Sequence, residues 1–263
     1  MYKHNLSIKK IKKQYVSIND SIESYFNKLK LFILKVRKSG IDPTNRVFLI
    51  FFSLIVLTFG YFLIPTLYDK RIIQSEIKNQ ILNNHNIDIQ FNEKIRYGLL
   101  PLPHFISKDV SILNKQKEIG VIKNFKIFIH TNRFFAINQI VMKDLLFKKA
   151  DFYIKKEDIS FFKKILISQT GNYGLKIRNS NIFYKNKNDE ILFIKKIIDS
   201  NFYYDLKKLE NILISKNQVF NVPYKIKFNL NKFNKKISSK FISKKMKLNI
   251  ENEIDYNNEI LDG

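Results

Sequence analysis

The chain has 263 residues, of which 45% are hydrophobic, and it carries a formal net charge of +24 at pH 7. This length suits a membrane anchor plus one domain of ordinary size, and the absence of cysteine excludes disulfides and every thiolate-based site. The charge would attract phosphate groups, but lysines occur along the whole chain, glycine is scarce and tryptophan is absent. Compositional bias therefore explains the charge better than a nucleic-acid-binding block does, and anionic lipid headgroups are the expected electrostatic contact.

The first predicted element is a basic tail, residues 1–46, which we expect on the cytoplasmic side of a membrane. Within this tail, residues 18–36 carry apolar side chains at roughly helical spacing. Two interpretations stay open. The segment is either an amphipathic helix on the inner leaflet or a loosely ordered arm that only sets the topology.

Residues 47–68, VFLIFFSLIVLTFGYFLIPTLY, contain no charge and predict a transmembrane helix that Pro65 ends or kinks. A hydrocarbon core about 30 Å thick requires roughly 20 helical residues, so the segment is long enough to span it. Lys and Arg are more frequent before the segment than after it, which places the N-terminus in the cytoplasm. We therefore predict a single-pass protein of the cell inner membrane with residues 69–263 as a periplasmic domain.

After the span, the spacing of apolar residues changes from helical to strand-like. Residues 67–82 predict a helix that ends at Asn83 or Asn84. Alternation of apolar and polar residues then predicts strands at 87–91, 110–112, 125–129, 175–177, 182–184, 191–193, 202–204, 224–230 and 246–250. One more helix is predicted at residues 155–167.

These elements predict a membrane-anchored α+β fold that is mostly β, with one transmembrane helix, short helices and a curled antiparallel meander sheet. Strands without regularly intervening helices favour the antiparallel arrangement. The apolar face of such a sheet has to be buried. A sandwich buries it against a second sheet, whereas an open groove can bury it against acyl chains.

Sequence signatures of catalysis are missing. There is no glycine-rich nucleotide-binding pattern and no GxSxG motif, and no two of the four histidines have metal-ligand spacing. A triad assembled from distant positions would leave no local signature. We nevertheless expect a protein that is not an enzyme, with no catalytic residue, metal or cofactor.

An ordered series of segments resembles the AsmA-like family of bacterial envelope proteins over about residues 65–230. The span and its following helix come first, then the strand NIDIQF and a Pro-x-Pro turn, Pro101 and Pro103, ahead of the pair Asp109 and Val110. These prolines lack backbone donors and would make a corner between edge strands. The last segments are residues 134–140, in place of a leucine-rich stretch, and residues 175–186, which look like the family's strand–turn–strand unit.

The resemblance implies a bridge-like groove whose apolar floor holds the acyl chains of membrane phospholipids. It implies a role in phospholipid transport between inner and outer membrane or in outer-membrane assembly. The candidate floor residues are those on the apolar faces of the predicted strands: Ile87, Ile89, Val110, Ile112, Phe125, Ile127, Tyr224, Ile226, Phe228 and Leu230.

The main alternative is a bitopic envelope scaffold that binds other proteins through exposed strand edges. A membrane-bound enzyme and a nucleic-acid-binding protein are further alternatives, although no nucleic-acid partner is expected for an exported domain. We also expect an open strand edge near residues 261–263, where the domain is incomplete or an envelope partner adds a strand. The hypotheses differ in whether the apolar strand faces close into a dry core or stay open.

Overall fold

A computed structural model describes residues 24–31, 34, 43–136, 139–167 and 173–255 of the chain. The chain divides into two compact units, residues 1–59 and 60–263. In the first unit, residues 24–31 are helical. Most of the remaining tail lies outside the described residues, including residues 18–23, 32, 33, 35 and 36 of the predicted amphipathic segment 18–36.

The apolar segment forms helix α1, Pro43–Leu63, which a 3-10 turn, Ile64–Leu67, extends. Among the described residues, one helical stretch, Val47–Leu67, is long and apolar enough to cross a membrane. No residue from 47 to 63 is buried, whereas Pro65 near the end of the stretch is. The predicted span at residues 47–68 therefore coincides with the observed apolar helix to within one residue, and Pro65 lies in the 3-10 turn that ends it.

The helix that follows the span is α2, Lys70–His85. It begins after Asp69, whose carboxylate accepts a hydrogen bond from the N–H of Arg71 at 2.8 Å. It ends before Asn86, which takes the left-handed conformation with φ 54°. The helix predicted at residues 67–82 is thus present but shifted by three residues, because these two capping residues fix its ends. Its buried stripe consists of Ile73, Ile77, Ile81 and His85.

Twelve strands of the described residues form one open sheet. In chain order they are β1 Asp88–Phe91, β2 Arg96–Gly98, β3 His104–Ser107, β4 Val110–Asn114, β5 Lys117–Ile129, β6 Met142–Ile154, β7 Gly174–Lys185, β8 Ile191–Asp205, β9 Glu210–Val219, β10 Val222–Asn231, β11 Lys236–Ser243 and β12 Leu248–Asp255.

The order of neighbours in the sheet is β1-β4-β5-β6-β7-β8-β9-β10-β11-β12, and β3 pairs with β5 as well as with β2. Pro101 and Pro103 lie in the connection between β2 and β3, as the sequence predicts. Asp109 has φ 49° in the short connection from β3 to β4, and Val110 begins β4 with a buried side chain. The sheet is not closed, because β1 and β12 lie at its opposite ends.

The predicted meander order holds from β4 to β12, whereas β1 pairs with β4 and β3 pairs with β5. The predicted antiparallel pairing is wrong at one pair of strands. β6 and β7 run parallel, and the segment between them contains a 3-10 turn, Lys156–Asp158, and helix α3, Ile159–Ile167. A parallel pair needs a crossover, because the chain must return to the starting end of the first strand before the second begins. The helix predicted at residues 155–167 is this crossover, and the sheet is therefore mixed.

The predicted strand–turn–strand unit at residues 175–186 is also wrong, because one strand, β7, continues through it. Asn179 on β7 has φ 49° and Lys149 on β6 has φ 57°, so both strands deviate at the same level. Ser180 is fully buried there, and its hydroxyl oxygen accepts the N–H of Ala150 at 3.0 Å. This side-chain bond replaces a ladder bond and keeps the strands together. Residues 191–193 and 202–204 are likewise parts of one strand, β8.

The core lies between helices α2 and α3 and one face of the sheet, here called the inner face. Strand register places Ile89 opposite Ile112 and Phe125 opposite Phe147 on this face. All four side chains are buried in one cluster that also includes the apolar stripe of α2. The inner face of the first strands is therefore buried in a dry core. Further along the sheet, this face is covered differently.

Candidate functional site

A cavity of about 280 Å³ lies between α3 and the inner face of the sheet. Helix α3 contributes Phe161, Phe162, Ile165 and Leu166 to its wall. The opposite wall consists mainly of aliphatic and aromatic side chains: Ile87, Ile112, Phe147, Phe152, Ile154, Leu175, Ile177, Ile182, Ile197, Phe202, Leu213 and Ile226. Its volume is close to the lower limit for ligand pockets, and its mainly apolar lining is typical of them.

Helix α3 is held at both ends. Before it, the carboxylate of the buried Asp158 accepts hydrogen bonds from the N–H of Lys155 and the side-chain amide of Asn114, each at 3.1 Å. Near its end, the side-chain amide of Asn211 donates to the carbonyl of Leu166 at 3.1 Å. These bonds fix α3 over the sheet, so the cavity is a built space and not a gap under a loop.

Four polar side chains line the cavity besides the apolar ones: Lys195, Ser200, Ser215 and Asn217. Ser200 and Ser215 are directly opposite each other on β8 and β9, and both are buried. The hydroxyl of Ser215 donates to Oδ1 of Asn217 at 2.8 Å. Asn217 is only 1% exposed, and its Nδ2 has no hydrogen-bond partner among the described residues.

Lys195 lies on the inner face of β8, between Ile182 and Val219 on the neighbouring strands. Its Nζ is 5.9 Å from the centroid of the Tyr224 ring. Burial lowers the pKa of the Lys195 ammonium, because the apolar surroundings disfavour its charge. Within the described residues, no ion pair joins Lys195 to a carboxylate.

The inner face loses its cover beyond the cavity. Register aligns Ile226 of β10 with Phe241 of β11, and Phe241 with Ile250 of β12. On β12, Leu248, Ile250 and Ile254 share this face and are 43%, 46% and 53% exposed. The apolar face thus continues from a covered cavity to an open apolar strip, here defined as Tyr224, Ile226, Phe228, Phe241, Leu248, Ile250 and Ile254 on β10–β12.

The structure separates the ten predicted floor residues into three groups. Ile89, Val110, Phe125 and Ile127 are buried in the closed core, and Leu230 of β10 is also buried, outside that cluster. Three of the ten, Ile87, Ile112 and Ile226, line the cavity. Tyr224 and Phe228 are half-buried and share the inner face of β10 with Ile226.

Sequence reasoning missed the polar members of the cavity wall. The residues of β9 on the inner face are Asn211, Leu213, Ser215 and Asn217, whereas Ile212 and Ile214 face the other way. A search for alternating apolar residues therefore does not identify this strand. Lys195 gave no signal either, because it is one of many lysines spread over the chain. The aromatic pair Phe161 and Phe162 on the predicted helix could have indicated that this helix packs over the apolar face of the sheet.

A second buried polar group lies at the end of α2. His85 is 0% exposed, and its ring packs against those of Tyr173 and Phe202, with centroid distances of 5.0 and 6.5 Å. Neither ring nitrogen has a hydrogen-bond partner among the described residues. Burial lowers the pKa of His85 from 6.5 to about 4.

No protein-family model matches the sequence, and the comparison with curated proteins finds no match. Within the part of the chain that the structure describes, no group of His, Asp and Glu side chains could hold a metal ion. The site is therefore defined by its own geometry: an apolar cavity with a polar end, followed by an open apolar strip.

Proposed function

We propose that this chain is a membrane-anchored envelope protein that holds lipid acyl chains in the cavity and on the open apolar strip. In this role it takes part in phospholipid transport between inner and outer membrane, or in outer-membrane assembly. The observation that carries the proposal is the cavity under α3, whose wall is mostly apolar and whose member Ile226 also belongs to the open apolar strip on β10–β12.

The energetics favour an acyl chain as the occupant. Each methylene removed from water contributes about 0.8 kcal/mol, so about ten buried methylenes contribute roughly 8 kcal/mol. A chain that moves from the bilayer into such a site exchanges one apolar environment for another, and its net transfer cost is small. A polar metabolite would lose its hydrogen bonds to water and find few partners in this wall.

The membrane anchor and the sequence resemblance support the same proposal. The apolar helix Val47–Leu67 would keep the strand-rich domain next to a bilayer, which supplies acyl chains at high local concentration. The series of segments that resembles the AsmA-like family fits a lipid-holding sheet. With the basic flank before the span in the cytoplasm, residues 69–263 would occupy the periplasm.

One observation favours the scaffold as the second candidate. β12 is the last strand of the described sheet, and all of its residues are exposed. An exposed edge strand can accept a strand from another protein. In the scaffold hypothesis this edge is the binding surface and the cavity stays empty.

The test compares the lipid carried by full-length protein purified from membranes in detergent. The variant Ile226→Asp places a charge in the cavity wall, and Lys227→Asp places the same charge on the outer face of the same strand. We expect the parent and Lys227→Asp to retain phospholipid and Ile226→Asp to lose most of it, because a carboxylate in the apolar wall is costly to desolvate.

Circular dichroism and gel filtration establish that each variant is folded. Lipid bound around the membrane helix is common to all three proteins and cancels in the comparison. If folded Ile226→Asp retained as much phospholipid as Lys227→Asp, the proposal would be contradicted. The scaffold hypothesis would then be the better explanation.

A further inference from the structure

The polar end of the cavity is built from donors. Lys195 is the charged residue among those that line the cavity, and the described residues provide no carboxylate to pair with it. Its ammonium lies over the ring of Tyr224, which partly compensates the charge. An ammonium has three donors and no acceptor capacity, so its natural partner is an oxygen anion.

Asn217 adds a second unpaired donor. Its Oδ1 is occupied by the hydroxyl of Ser215 at 2.8 Å, so its Nδ2 is oriented away from that bond. Asn217 is almost completely buried and lines the cavity, and Nδ2 has no partner among the described residues. Buried N–H groups without a partner are rare, because leaving one unpaired is costly.

The two donors belong to the same part of the sheet. Asn217 on β9 is directly opposite Tyr224 on β10, and the Lys195 ammonium lies over the Tyr224 ring. The side chain of Lys195 therefore extends from β8 towards the strands that carry Asn217 and Tyr224.

We propose that Lys195 and Asn217 bind the anionic group, a carboxylate or a phosphate, of an amphiphile whose acyl chain occupies the apolar part of the cavity. This inference rests on the proposed function and adds the polarity and orientation of its ligand. Along β8, Lys195 is seven positions from Phe202, so the polar end and the deep apolar wall are separated by ~20 Å. The head lies at Lys195, and the chain runs towards Phe202 and Leu213.

The test measures binding to full-length protein in non-ionic detergent with three amphiphiles of one chain length: hexadecanoate, hexadecyl phosphate and hexadecanol. Inorganic phosphate and acetate are the probes without a chain. The parent is expected to bind the two anionic amphiphiles about tenfold more tightly than hexadecanol, as a charge-assisted hydrogen bond allows. The chain-free probes are expected not to compete at millimolar concentration.

Lys195→Met removes the charge and keeps the length of the side chain, and Lys196→Met is the matched control on the opposite face of β8. We expect Lys195→Met to lose the preference for anions while it still binds hexadecanol, and Lys196→Met to behave as the parent does. Lys195→Arg should keep a preference, and Asn217→Leu should reduce it several-fold. Asn217→Leu carries the test if Lys195→Met does not fold.

Equal binding of hexadecanol and hexadecanoate by the parent would overturn this inference and leave the proposed function standing. An undiminished preference in Lys195→Met would also overturn it. If Lys195→Met were unfolded, an undiminished preference in folded Asn217→Leu would overturn it. If inorganic phosphate alone saturated the site, the ligand would be a free anion and not an amphiphile, and the inference would be wrong. Failure of all three amphiphiles to bind would reject the proposed function itself.

Discussion

The buried imidazole of His85 predicts a specific dependence of stability on pH. Its pKa is lowered from 6.5 to about 4 in the folded protein, so the unfolded chain binds the proton more readily than the folded one. The contribution of His85 to the free energy of unfolding is therefore fully present above pH 6.5 and is lost as the pH falls towards 4. Each unit of pKa difference corresponds to 1.36 kcal/mol, which makes the full effect about 3 kcal/mol.

The perturbation is His85→Phe, which removes the titrating group and preserves an aromatic ring against Tyr173 and Phe202. Between pH 7.5 and pH 5, the parent is expected to lose about 2 kcal/mol more of its free energy of unfolding than the variant does. The carboxylates titrate in both proteins and cancel in the difference. Because the chain has no tryptophan, urea unfolding of the full chain in detergent is followed by circular dichroism.

A matched control separates packing from titration. Tyr173→Phe removes the hydroxyl that donates to the carbonyl of Gln80 at 2.9 Å and accepts from Asn84 at 2.8 Å. This variant is expected to lose about 1 kcal/mol at both pH values, with the pH dependence of the parent. If His85→Phe showed the pH dependence of the parent, the assignment of a lowered pKa to His85 would be refuted.

Three further predictions address the sheet, the topology and the charge. Ser180→Ala leaves the buried N–H of Ala150 without its acceptor, so we expect a loss of about 1–3 kcal/mol in the free energy of unfolding by urea titration; an unchanged midpoint would mean that the backbone re-pairs without Ser180. Reporter fusions that are active only in the periplasm should work at Asn84 and fail at Lys38, and the opposite pattern would reverse the orientation. Binding of the full chain in detergent to anionic vesicles should weaken as the salt concentration rises. Tight, sequence-selective DNA binding at physiological salt would instead show that the basic surface recognises nucleic acid.

The parts of the fold that could be predicted from sequence are those with an uninterrupted period. The span, α2, α3 and β10 each keep one spacing from end to end, and all were located to within a few residues. The long strands behaved differently. β6 changes phase at Lys149, and the pairing of β8 with β9 is irregular around Ile198, so apolar residues that share a face are not separated by an even number of positions. A period-two pattern therefore breaks a continuous strand into pieces.

The candidate site was less predictable than the fold for a different reason. The apolar faces were recognised, but which of them stay open depends on where α3 crosses the sheet. That position is set by the parallel pairing of β6 and β7 and by the contacts of Asp158 and Leu166. The polar end depends on Asn217, whose strand presents polar residues to the inner face. Neither feature has a local signature in the sequence.

The most direct test of the lipid-holding account is to locate a bound acyl chain on the protein. Full-length protein is incubated with a phospholipid that carries a photoreactive group in its acyl chain, irradiated, and analysed by mass spectrometry of its peptides. The account predicts labels on the cavity wall at Phe162, Leu213 and Ile226, and none at Ile214 or Lys227 on the outer face. Labels confined to the helix Val47–Leu67, with an unlabelled cavity wall, would contradict it.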